Sequence, residues 1–206
     1  MGNIGVEPDY SMLVNKANYL EADYVPSGLI PVHSRIKPFI NPNHELLLLP
    51  MVIISFRELQ DAAWRNKFDL EISSGYRSFE YQQQIMNAYL VKNGANAYDT
   101  VALPGRSEHQ TGLAIDYMLY RKTKRGDMNT SEIEKFEQRK KVANLWVADN
   151  AYKYGFVLRY PEKKQHITGF AAEPWHLRYV GEDVAGKLHK TGMVLEEYHE
   201  QNGMSR

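Results

Sequence analysis

The longest apolar run of the chain, Leu46 to Phe56, is broken by Pro50 and is too short to cross a bilayer. Any core must therefore be assembled from short pieces, and these carry two different periodicities. After Pro50, the residues Ile53, Ile54, Leu59, Ala62 and Ala63 form a ragged amphipathic stripe, which predicts a helix to about Lys67. Leu70 and Ile72 alternate within Asp69 to Ser73, a short strand. Ser78 opens a second helix with Ile85, Met86, Tyr89 and Leu90 on one face, and Gly94 closes it. Asp99 to His109 reads as a loop turned by Pro104 and Gly105, and Leu113 to Tyr117 as a strand. Arg121 to Thr130 is a polar surface excursion. Ser131 to Tyr154 is expected to be a helix with Ser131 as N-cap, ended by Gly155. Phe156 to Leu158 and Leu177 to Val180 are short strands, and Glu182 to Lys190 is a short helix. Residues 1–44, rich in Pro, Asn and Tyr, read as an extended wrapping segment that includes Ile30-Pro31-Val32. With no repeats and no regular βαβ rhythm, the expected class is α+β: a small, mainly antiparallel sheet flanked by helices, in one domain over 1–206.

Composition excludes several functions. Lys+Arg and Asp+Glu are both 25, so the basic excess of a nucleic-acid surface is missing. There is no cysteine, which leaves only His, Asp and Glu to hold a metal. Met1 to Leu20 carries scattered charges and resembles neither a signal peptide nor a membrane span. The expected location is the cytoplasm, or the extracytoplasmic side if an anchor was removed before Met1.

Three segments carry chemistry: Ser74-Gly75-Tyr76-Arg77-Ser78, the stretch from Ser107 through Glu108-His109 to Asp116, and Glu173-Pro174-Trp175-His176. A catalytic zinc takes three protein ligands and leaves one position open. His109 follows a Gly/Pro-marked loop, Asp116 lies in an apolar strand where a lone carboxylate is costly, and His176 precedes another strand. These three form a candidate ligand set. Glu173, on a turn stiffened by Pro174, suits a general base, and Arg77 suits the stabilisation of an oxyanion. Ser107 is a candidate hydrogen-bond donor to a substrate carboxylate. The residues alone leave other roles open. Asp116 also fits an N-cap or a buried ion-pair partner of Arg77 or Arg178, and Glu173 and Arg77 each fit a surface position. His33, His44, His166, His189 and His199 read as surface or core residues.

Taken together and in order, the three segments resemble the zinc D,D-carboxypeptidase and D,D-dipeptidase family that includes VanY and VanXY, with its pattern S-G-Y-R-S, S-x-H-x-x-G-x-A-x-D and E-x-W-H. The likeness runs from about Leu70 to the C-terminus. It implies the small hedgehog/D,D-peptidase type of α+β fold, with Zn2+ held by His109, Asp116 and His176. It further implies Glu173 as general base and acid, Arg77 on the oxyanion, Ser107 and Gln82 placing substrate, and Tyr76 and Trp175 as pocket walls. The implied activity is removal of the terminal D-Ala from peptidoglycan precursors or stem peptides ending in D-Ala-D-Ala, the group vancomycin binds, and hence a part in glycopeptide resistance. Ser74 stands where some VanXY enzymes carry Asp, which favours an acylated chain over a free dipeptide. The alternatives are a dual dipeptidase/carboxypeptidase, an L,D-carboxypeptidase and a non-catalytic binding module.

Overall fold

A computed structural model describes residues 9–36, 41, 44–123 and 125–204. The remainder of the expected wrapping segment lies outside the described residues. Within it, β1 (Ile30–Pro31) pairs antiparallel with β2 (Leu47–Leu48).

Pro50 starts α1 (Pro50–Arg65), where its missing N–H costs nothing and its fixed φ suits the first turn. Val52, Ile53, Phe56, Leu59 and Ala63 line the buried stripe of this helix. After it come β3 (Leu70–Ser74) and α2 (Phe79–Asn93), whose N-cap Ser78 accepts from the Tyr81 N–H. Where a loop is expected, the short helix α3 (Ala97–Thr100) forms, and a 3-10 turn spans Glu108–Thr111. Strand β4 (Ala114–Leu119) follows. Helix α4 (Thr130–Asn150) starts one residue ahead of expectation because Asn129, not Ser131, caps it. Asn129 exchanges hydrogen bonds with Glu132 in a capping box, which satisfies two orphan donors at once. A 3-10 turn over Ala151–Tyr154 replaces the last turn expected of that helix, and Gly155 ends it with a left-handed φ of 75°. The chain closes with β5 (Phe156–Leu158), α5 (Gln165–Thr168), β6 (His176–Tyr179), α6 (Glu182–Thr191) and α7 (Leu195–Gln201).

Among the described residues the main sheet has the order β3-β4-β6-β5, and every neighbouring pair is antiparallel. Alternation divides its two faces. Ile72, Ile115, Tyr117, Leu119, Leu177 and Tyr179 join α1 and the Ala143/Val147 side of α4 in the core. The opposite face carries Asp116, His176 and Arg178. The register aligns Asp116 with Ser74 on one side and His176 on the other, so three residues far apart in sequence stand abreast. The register shift between Ile72 and Ser74 re-aims the end of β3 toward this row.

Candidate active site

His109 sits on the 3-10 turn rather than at a loop end. Gly112 lets that turn close with φ 70°, and a Cβ there would meet the Leu29 side chain at 2.9 Å. His109 Nδ1 donates to the Gly75 carbonyl at 2.7 Å, which leaves Nε2 facing Asp116 Oδ2 at 3.4 Å. His176 turns Nδ1 to Asp116 Oδ1 at 3.2 Å and to Glu173 Oε2 at 3.6 Å. The turn carrying Glu173 and His176 is held by its own His176 N–H to Glu173 carbonyl bond, and Tyr117 Oη donates to the Pro174 carbonyl at 2.8 Å.

One ligand atom from each of His109, Asp116 and His176 lies within 4.8 Å of the others. Among the described residues, Asp116 Oδ1 is buried and has no hydrogen bond of proper geometry. A buried carboxylate flanked by two imidazoles, with one oxygen lacking a well-formed hydrogen bond, is a costly arrangement that a cation relieves. The donor set suits zinc, which takes imidazole and carboxylate in four-coordinate geometry.

Electrostatics follow from this packing. Burial, with Arg77 nearby, pushes His109 down to about 4. Burial also opposes a charged His176, but Asp116 and Glu108 outweigh it and lift His176 to about 9. Burial pushes the Glu173 carboxyl up to about 7, against the pull of His176.

Arg77 spans the centre: Nη2 donates to Asp116 Oδ2 at 2.6 Å, Nε to Ser74 Oγ at 3.0 Å and Nη1 to Gln82 Oε1 at 3.4 Å. The Arg77–Asp116 ion pair and the candidate ligand geometry thus coexist. Gln82 accepts from Arg77 and donates to the Ala102 carbonyl, so it braces Arg77 from within the cavity lining. All of these groups open onto a cavity of about 550 Å³, which Ser74, Ser107 and the 40 % exposed Trp175 also line. Tyr76 does not line it. It is buried, 7 % exposed, beside the stacked pair of His44 and Tyr81 on the chain between β3 and α2.

Glu108 received no role from the sequence, although it lies inside the second motif. It is fully enclosed, with Arg159 and Arg178 both 2.8 Å from Oε1. Despite burial, these arginines hold its carboxyl well below the usual carboxylate range. Its only sequence signal is an acid next to a candidate ligand. Tyr160 and Phe170 complete the wall, the Tyr160 ring lying 4.9 Å from that of His176.

Two imidazoles, one carboxylate and a neighbouring acid of raised pKa, gathered at the end of an antiparallel sheet, make up the donor set of a metal-assisted hydrolase. The family model VanY, D-alanyl-D-alanine carboxypeptidase, matches residues 46–182, and the chain belongs to that family. The bifunctional D-Ala-D-Ala dipeptidase and carboxypeptidase VanXYC of Enterococcus gallinarum is 36% identical over 189 residues, covering 91% of this chain and 92% of VanXYC. The D,D-pentapeptidase VanY of a VanB-type resistance cassette, solved as a point mutant with Zn(II), superposes with a TM-score of 0.73 at 31% identity, covering 93% of this chain and 99% of that one. The L,D-carboxypeptidase LdcB superposes with a TM-score of 0.72 at 35% identity, covering 91% and 84%. Further structural relatives are VanYB in complex with D-alanine-D-alanine and a VanXYg dipeptidase with a D-Ala-D-Ala phosphinate analogue. Two other curated relatives are longer: the chain spans 66% and 67% of their lengths.

Proposed function

We propose that the chain is a zinc-dependent D,D-carboxypeptidase that releases the terminal D-Ala from peptidoglycan precursors or stem peptides ending in D-Ala-D-Ala. The observation that carries this reading is the Asp116 carboxylate set between His109 and His176, its buried Oδ1 without a well-formed hydrogen bond among the described residues, with Glu173 lining the same cavity. His109 Nε2, Asp116 and His176 Nδ1 would hold the ion. When bound, zinc supplies Lewis acidity toward the peptide carbonyl and toward water. Glu173, at about 7, takes a proton from the attacking water and returns it to the leaving amine. The Arg77 guanidinium, fixed by Ser74 and Gln82, faces the oxygen on which charge develops. Ser107 and Trp175 border the space where the substrate's C-terminus lies. The likeness to VanY and VanXYC supports a role in glycopeptide resistance, exerted on cytoplasmic precursors or outside the membrane.

The likeness to LdcB favours one second reading, an L,D-carboxypeptidase. The experiment is D-alanine release, with zinc and with a chelator, from free D-Ala-D-Ala, from a pentapeptide ending in D-Ala-D-Ala and from a tetrapeptide ending in an L,D bond. Chelator-sensitive release from the pentapeptide is the expected outcome. Added release from the dipeptide would make the enzyme bifunctional. Release from the tetrapeptide alone would replace the D,D reading with the L,D one.

A further inference from the structure

Glu108 stands behind the two imidazoles, and the reaction above assigns it nothing. Its two oxygens have different partners. Oε1 accepts from Arg159 Nε and Arg178 Nη1, both at 2.8 Å. Oε2 faces His176 Nε2 at 3.4 Å. Neither arginine is free to turn toward Oε2. Arg159 commits its other two nitrogens to Glu196, at 2.8 and 2.6 Å, and Arg178 commits Nη2 to the Tyr10 and Met12 carbonyls. His176 therefore has a carboxylate against each ring nitrogen: Asp116 on Nδ1 and Glu108 on Nε2.

An imidazole that coordinates through one nitrogen carries its proton on the other. An acceptor there fixes the tautomer and ring angle and makes the ligand more basic. His109 obtains this from the neutral Gly75 carbonyl. For His176 the acceptor is a charged group, clamped in place by two buried arginines.

We propose that Glu108 is a positioning residue of the metal centre: Oε2 accepts the Nε2 proton of His176 and holds Nδ1 toward the ion, while Arg159 and Arg178 fix Oε1. This inference rests on the metal reading of the site. A purely structural Glu108 would need only the arginines, and its second oxygen would not have to meet a ligand.

The first test uses the wild-type chain loaded with zinc and labelled with 15N-histidine. Long-range proton–nitrogen correlation is expected to show His176 coordinated through Nδ1 with a protonated Nε2. Coordination through Nε2 would overturn the proposal. The second test is zinc affinity by competition with a chelator. Glu108→Gln is expected to weaken binding about 10- to 100-fold. Glu196→Ala disturbs the same buried network without touching Glu108, and it should bind zinc within about threefold of wild type. Equal weakening of both variants, or an unweakened Glu108→Gln, would reduce Glu108 to a structural part. If Glu108→Gln does not fold, the wild-type spectrum decides. A wild type that binds no zinc would overturn the metal reading itself, a result distinct from zinc bound through the wrong nitrogen.

Discussion

At the scale of single residues, Glu173 and Arg77 differ in what holds them. Glu173 stands on a short turn, and burial, with Asp116 and Glu108 nearby, raises its carboxyl to about 7. That value suits a group that must both take and give a proton near neutrality. Glu173→Gln keeps the shape but cannot exchange the proton. It is expected to retain zinc by metal analysis and to lower kcat by about 10²- to 10⁴-fold, and turnover above a tenth of wild type would remove Glu173 from the role. Arg77 reaches Ser74, Gln82 and Asp116 with three different nitrogens. A lysine offers one point charge on a flexible stem and cannot reproduce that fork. Arg77→Lys should therefore resemble a loss, not a conservative change, with kcat down about 10²-fold in steady-state assays. Recovery of near wild-type kcat by lysine would mean that charge alone suffices there.

At the scale of elements, the junction between β3 and α2 sets the site through a glycine. A Cβ on Gly75 would lie 2.7 Å from the Leu47 carbonyl and 3.2 Å from the Leu48 side chain, so β2 would have to move. The same glycine supplies the carbonyl that orients His109. Gly75→Ala should cost about 1–3 kcal/mol of stability through overpacking and also weaken zinc binding, read by thermal melting and chelator competition. A lower Tm with unchanged zinc affinity would separate the packing role from the orienting one. Elements with a period or a cap were legible in the sequence: α1 from its Pro50 and apolar stripe, α2 from Ser78 and Gly94, and β3 from its alternation, while β4 showed as a short apolar run. The start of α4 was misplaced because Ser131 is itself a good cap, and the stronger Asn129–Glu132 box lies two residues earlier. The turns over Ala97–Thr100 and Glu108–Thr111, and the short α5 and α7, are too brief to show a period. The three motifs named the residues around the cavity, but not what each one touches. Gln82 lines the cavity and also braces Arg77, a contact no motif shows. Tyr76, expected as a pocket wall, is not among the residues that line the cavity. Glu108 was passed over because its partners lie 51 and 70 positions further on.

At the scale of the whole molecule, a buried ionic network joins the Tyr10–Asn15 segment and α7 to the site. Glu108 leads through Arg159 to Glu196 on α7, which accepts from Asn15 Nδ2 at 3.1 Å, while Arg178 reaches the Tyr10 and Met12 carbonyls. Two buried arginines are balanced by two glutamates, so the loss of either acid leaves a charge in a place water cannot reach. The Glu196 side chain is 13 % exposed and that of Arg159 is fully enclosed, so the pair is largely shielded from water. Breaking such a pair costs about 3 kcal/mol or more. In a chain of this size each kcal/mol lowers Tm by about 2–4 °C, so Glu196→Ala should melt about 6–12 °C below wild type. The same variant keeps the Glu108–His176 contact, so added zinc should raise its Tm by as much as it raises that of wild type, since the ligand's contribution depends only on its own affinity and concentration. A variant that melts low and also loses its zinc-dependent rise would show that α7 governs the metal centre and not only the fold. A variant that melts like wild type would mean that Arg159 finds another partner once Glu196 is gone.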